Sequence, residues 1–199
     1  MKKNVWIIGV CVIGMLAVFG SASGRSSAFG DKIFDFGHMA PLDSETKLAK
    51  GDPAPDFDLP AISGKRIRLS EYRGSRHVML TFVPAAWTPV CSDQWPGYHI
   101  ARELFENLDT VVIGISCDNL PSQHAWIREM GGVWFDVVSD FWPHGKVSDA
   151  YGVLRSDGMS ERAVFIIDKT GIIRFIHLED INVRPDLGVL IQALEQLAP

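Results

Sequence analysis

The chain reads as an α/β protein, a three-layer sandwich with a central mixed sheet flanked by helices. Three observations predict this. Two near-continuous apolar runs rich in β-branched residues, Val78–Val83 and Thr110–Ser116, have the character of strands covered on both faces. Each is followed by a stretch with helical spacing, first through Trp95, Tyr98, Ala101, Phe105 and Leu108, then from Pro121 to Met130. The chain then closes on an antiparallel hairpin and a last helix, and strands alternating with helices in this way build layered α/β domains.

Taken in order, Met1-Lys2-Lys3 followed by the apolar run Val5–Gly20 and the small residues Ser21-Ala22-Ser23 has the layout of a secretory signal. An uncleaved N-terminal membrane anchor is the alternative, and either one exports the remainder, to the periplasm or beyond. Residues 24–49 hold Gly, Ser, Pro and Asp with no sustained period and read as a linker or irregular arm, packing locally through Phe29, Phe34 and Phe36. The folded domain is expected over residues 50–199. Phe57–Leu59 and Lys65–Leu69 read as a short hairpin, and Ser70 as the cap of a brief helical turn. Pro96 is expected to kink or weaken the helix after Cys91. The Pro121–Met130 helix stops at Gly131-Gly132, Phe135–Val138 is a short strand, and Lys146–Tyr151 makes one or two helical turns. Val164–Asp168 and Ile172–His177 form the closing hairpin around Gly171. Pro185 opens the last helix, with Leu187, Leu190, Ile191, Leu194 and Leu197 on its apolar face.

Composition narrows the function. A net charge of −5 without a basic run argues against a nucleic-acid partner. The three cysteines are Cys11, Cys91 and Cys117; with no CxxC and no Cys/His cluster they suit neither a disulfide scaffold nor a zinc site. Cys11 lies inside the N-terminal apolar run. Cys91 stands where a buried strand passes through the turn Pro84–Pro89 into a helix. Free N–H groups and the macrodipole at a helix start favour a thiolate, the nucleophilic form of cysteine.

The pattern Pro84-x-x-x-Thr88-x-x-Cys91 resembles the active-site motif of the peroxiredoxins, thiol-dependent peroxidases on a thioredoxin-like fold. Gly51-Asp52-Pro53-Ala54-Pro55-Asp56-Phe57 is similar to that family's N-terminal signature. Ser139–Gly145 with Ala150–Val153 looks most like the AhpE-type branch, and Arg162–Asp168 with Gly171–Phe175 looks like the arginine-bearing strand and its hairpin. The resemblance implies that Cys91 is the peroxidatic nucleophile and that Thr88 contacts sulfur and peroxide. It gives Pro84 the role of shielding the site, and Arg162 that of stabilising the thiolate and binding a peroxide oxygen. From the residues alone, Arg162 ends a strand and faces either solvent or a site, and Thr88 could equally be a helix cap. The backbone N–H groups of Val90 and Cys91 are further donors, and Gln94 is given no role.

No resolving cysteine stands five residues after Cys91, where Pro96 is found, nor after Ile181. Only Cys117 remains as a possible resolving cysteine, and its plainer reading is a small buried residue at a strand end. The expectation is therefore a one-cysteine cycle on hydrogen peroxide or organic hydroperoxides. It needs an external thiol reductant (thioredoxin-, glutaredoxin- or mycoredoxin-like) and no cofactor or metal; a homodimer is implied by the resemblance. A thioredoxin-type thiol–disulfide oxidoreductase is the rival, but threonine holds the place of its first cysteine in Trp87-Thr88-Pro89-Val90-Cys91, and Glu161-Arg162-Ala163 lacks its proline. A non-catalytic binding module on the same scaffold is the other alternative.

Overall fold

The strand His77–Phe82, β3 of the chain, is buried at every position and lies in the middle of a five-stranded sheet. The computed structural model describes residues 29–197; the leader read over residues 1–23, with Cys11, lies outside the described residues. Ahead of β3, β1 (Asp58–Pro60) and β2 (Arg66–Arg68) pair antiparallel as a separate hairpin. β4 (Thr110–Ser116) runs parallel to β3, and β5 (Asp136–Ser139) runs parallel to β4. On the other side β6 (Ala163–Ile167) is antiparallel to β3, and β7 (Ile173–Leu178) is antiparallel to β6. The sheet is mixed, in the order β5-β4-β3-β6-β7.

Helices α1 (Pro89–Ile100), α2 (Arg102–Asn107), α3 (Leu120–Glu129) and α5 (Leu187–Glu195) cover one face. There Trp95, Phe105, Trp126 and Leu190 pack on Met79, Val112, Val137 and Ile166. The opposite face buries Leu80, Phe82, Ile113, Ile115 and Phe165 under the β1–β2 hairpin and the short helix α4 (Lys146–Ala150), through Leu59, Ile67, Val147 and the adjoining Tyr151. With both faces covered, β3 carries apolar side chains on both of them instead of alternating, with His77 and Thr81 its polar positions.

Several boundaries differ from the sequence expectation, for local reasons. The helix after Cys91 continues through Pro96 and breaks at Ala101, where Leu104 N–H donates to Ala101 O and tightens the turn. Ser70 does not cap the turn Leu69–Tyr72; it lies within it, and its N–H donates to Asp56 Oδ1. The last helix begins two residues after Pro185, capped by Asp186, whose carboxylate accepts from Val189 N–H. Asn119 caps α3 in the same way through Ser122 N–H.

Residues 29–49 are irregular but bound to the domain along their length. Phe34 N–H donates to Trp87 O, Thr46 Oγ1 to Tyr151 O, and Asp43 and Ser44 N–H both donate to Glu161 Oε1. Phe29 packs on Trp87 at 6.3 Å between ring centroids, whereas Phe34 and Phe36 meet edge to face at the surface.

One close approach fixes where α1 sits. A Cβ on Gly114 of β4 would fall 2.7 Å from Trp95 Cζ2, so the indole lies directly on the strand backbone. Trp95 is fully buried between Trp126 and Phe135 and has no room to retreat. Gly114→Ala is expected to destabilise the fold by about 1–3 kcal/mol, as overpacking does, and to displace α1. Urea unfolding measures the first effect; a variant as stable as the parent would show that α1 can slide freely.

Candidate active site

β3 ends at Phe82, and Val83 N–H still pairs with Ile115 O before the chain turns. In the turn, Ala86 N–H donates to Asp118 Oδ2, and Trp87 takes a φ of 65°, an unusual conformation for a bulky residue. Pro89 follows at the start of α1, where its missing N–H costs nothing and its fixed φ suits the helix. Cys91 is therefore in the first turn, where N–H groups have no intrahelical acceptor. Its side chain has no solvent exposure.

Strand register brings the charged partner to this point. β3 and β6 are antiparallel with Phe82 opposite Ala163, so Arg162, one residue before β6, stands beside the turn that follows Phe82. Arg162 is 3 % exposed, and partners surround its guanidinium. Nε donates to Ile181 O at 2.8 Å and Nη1 to Gln94 Oε1 at 2.7 Å. Both Nη1 and Nη2 also lie 3.5 Å from Cys91 Sγ. Four of the five guanidinium N–H groups are thus assigned, leaving one on Nη2.

Gln94 fixes the guanidinium from the far side. Its Nε2 donates to Thr81 Oγ1 and Tyr98 Oη, each at 3.1 Å, which leaves Oε1 directed at Arg162. Burial pushes the Tyr98 phenol up to about 12, outweighing its hydrogen bonds to Gln94 and Thr81, so it stays neutral beside the cation. Thr88 occupies the N-cap position, yet its side chain makes no cap hydrogen bond. Its hydroxyl instead donates to Ala85 O at 2.9 Å, leaving the oxygen lone pairs free to accept. Thr88, Pro84 and Arg162 line a cavity of about 390 Å³, and Arg162 connects its wall to the buried sulfur 3.5 Å from its Nη atoms.

Residues 50–176 match the model of the AhpC/TSA family. The chain belongs to that family. It is 38% identical over 133 residues to alkyl hydroperoxide reductase E of Mycobacterium tuberculosis, covering 66% of this chain and 86% of that one. Among solved structures, a mitochondrial 2-Cys peroxiredoxin from Plasmodium falciparum superposes with a TM-score of 0.67 at 27% identity, over 74% of this chain and 93% of that one. Mycobacterium tuberculosis AhpC gives a TM-score of 0.69 at 24% identity, over 79% and 94% of the two chains, a likeness of fold. The chain is thus a peroxiredoxin with a thioredoxin-like fold, and the activity of the class is thiol-dependent peroxidase.

The peroxiredoxin's second described cysteine is elsewhere. Ile113 and Ile115 of β4 face the side covered by the hairpin and α4, and alternation carries Cys117 to that same side. Its sulfur lies 3.7 Å from Ser148 Oγ and 3.6 Å from Ser160 Oγ. Cys91 belongs to the opposite face. Burial pushes the Cys117 thiol up, only partly offset by the two serine hydroxyls, which makes it a poor nucleophile.

The structure brings together Cys91, Thr88, Pro84 and Arg162 and leaves Cys117 apart. Sequence reading missed the part played by Gln94, although its place one helical turn after Cys91 put it on the same face. It also missed Ile181 and Asn182, which follow the hairpin with no motif to mark them. Trp142 is a surface residue, and His144 Nε2 pairs with Gly158 O, both outside the cavity.

Proposed function

We propose that this peroxiredoxin reduces hydrogen peroxide or organic hydroperoxides through Cys91 by a one-cysteine cycle. The observation that carries the reading is the Arg162 guanidinium, buried, held by Ile181 O and Gln94 Oε1, and within 3.5 Å of Cys91 Sγ through both Nη atoms. A fixed cation stabilises negative charge on the sulfur and then on the departing oxygen.

The thiolate sulfur attacks the terminal oxygen of ROOH. The S–O bond forms as O–O breaks, the RO⁻ that leaves takes up a proton to become ROH, and Cys91 is left as a sulfenic acid. Thr88 Oγ1, its hydrogen directed at Ala85 O, accepts from the peroxide hydroxyl and orients it. The remaining Nη2 N–H of Arg162 and the N–H groups of Val90 and Cys91 supply donors to the oxygens. An external thiol then displaces water from the sulfenic acid to give a mixed disulfide, and a second thiol releases Cys91 with loss of a disulfide.

The position of Cys117 across the sheet supports external rather than internal resolution, since a disulfide needs Cα atoms within about 7 Å. With dithiothreitol as reductant, Cys117→Ala is expected to turn over peroxide at the wild-type rate. A fall of tenfold or more in a folded variant would make Cys117 part of the cycle. The physiological reductant on this reading is a thioredoxin-, glutaredoxin- or mycoredoxin-like protein. The N-terminal pattern Met1–Ser23 supports export or tethering outside the cytoplasm, and family membership supports a homodimer.

A further inference from the structure

The cavity lined by Pro84, Thr88 and Arg162 has a wall that the catalytic motif does not provide. Phe36, His38 and Met39 of the N-terminal arm line it together with Pro84, Thr88 and Arg162. The same arm is bound at two points to the residues that hold Arg162. Met39 N–H donates to Asn182 Oδ1 and Asn182 Nδ2 donates to Met39 O, each at 2.9 Å, a reciprocal clamp. Ile181 N–H donates to Pro41 O at 3.0 Å, and Ile181 O in turn accepts from Arg162 Nε. Glu161, beside Arg162 in the chain, is tied to the arm through Asp43 and Ser44 N–H. Both partners of the clamp lie outside the stretch matched to the family, residues 50–176.

We infer that the arm segment Asp35–Pro41, clamped by Asn182, is a specificity element of the site: it narrows the approach to Cys91 against bulky hydroperoxides and positions the Arg162 guanidinium. The inference rests on the peroxidase reading above. Asn182 is a positioning residue, acting on the sulfur only through Ile181, Arg162 and the arm. Freeing the arm has two opposed consequences. Arg162 loses alignment, which slows attack on every peroxide; the wall retreats, which favours a bulky peroxide over a small one.

The test compares the wild-type protein with Asn182→Ala and, from the other side of the clamp, Met39→Pro, which removes the Met39 N–H and leaves the Asn182 loop intact. Second-order rate constants for Cys91 oxidation are measured with hydrogen peroxide and with cumene hydroperoxide. Both variants are expected to react about tenfold more slowly with hydrogen peroxide, as small misplacements of catalytic groups do. The ratio of the cumene to the hydrogen peroxide rate is expected to rise by about threefold or more. A ratio unchanged in both variants overturns the inference, because simple loss of folded protein lowers the two rates by one factor. Labelling of Cys91 by iodoacetamide and by a bulky fluorescein maleimide separates the two readings. A wild-type protein inert to both peroxides sinks the peroxidase reading. The arm's role then stands if the variants gain maleimide over iodoacetamide labelling, and falls if they do not.

Discussion

Arg162→Ala is expected to slow oxidation of Cys91 by hydrogen peroxide by about a hundredfold to a thousandfold, the usual effect of deleting one donor to a developing oxyanion. Three partners direct this one side chain, Ile181 O, Gln94 Oε1 and Cys91 Sγ, so its charge reaches the sulfur with little reorganisation. Arg162→Lys should recover only a small part of the rate. A single ammonium on a flexible stem cannot serve Ile181 and Gln94 while covering the sulfur from two nitrogens. Stopped-flow measurement of the second-order rate constant tests both variants, with thermal melts to confirm folding. A folded Arg162→Ala protein within threefold of wild type would remove the guanidinium from the chemistry.

The largest effect on stability is expected one residue earlier. Glu161 is fully buried and pairs at 2.8 Å with Arg155, whose side chain is 3 % exposed. Breaking a buried pair by deleting one partner leaves an uncompensated charge, which destabilises by about 3–5 kcal/mol. Glu161→Ala should fall in this range, with Asp157, 3.1 Å from Arg155 Nε, pulling it towards the lower end. It also strips the acceptor from Asp43 and Ser44 N–H, so the arm should loosen and residues 40–44 exchange their amide hydrogens faster. Urea unfolding and hydrogen exchange read the two effects. A loss below about 1 kcal/mol would mean that Arg155 finds another partner or reaches water.

Much of the fold is legible in the chain because its signals are local. β3 and β4 read as buried strands from near-continuous apolar runs, and α3 from Pro121 near its start and Gly131-Gly132 past its end. Cys91 is legible for the same reason: strand, proline turn and helix start are contiguous. Arg162 is half legible, since the sequence places it at a strand end and only the antiparallel register of β6 on β3 turns it towards the sulfur. The arm is not legible. Its hold on the domain runs through backbone groups and single polar side chains more than a hundred residues away, such as Met39 on Asn182 and Asp43 on Glu161. Those bonds leave no hydrophobic period to read. Cys117 shows the limit from the other side. Its place at a strand end was visible, whereas the face it points to depends on the β4 pleat.

In the proposed cycle Cys91 Sγ is the atom oxidised, and it stops at the sulfenic acid until an outside thiol arrives. Intact-mass spectrometry of the reduced protein after one equivalent of hydrogen peroxide tests it most directly, beside Cys91→Ser. The expected result is one added oxygen on the wild-type protein and none on the variant. Loss of two hydrogens instead would mean an internal disulfide with Cys117 and contradict the one-cysteine cycle; no change in mass would contradict the peroxidase itself.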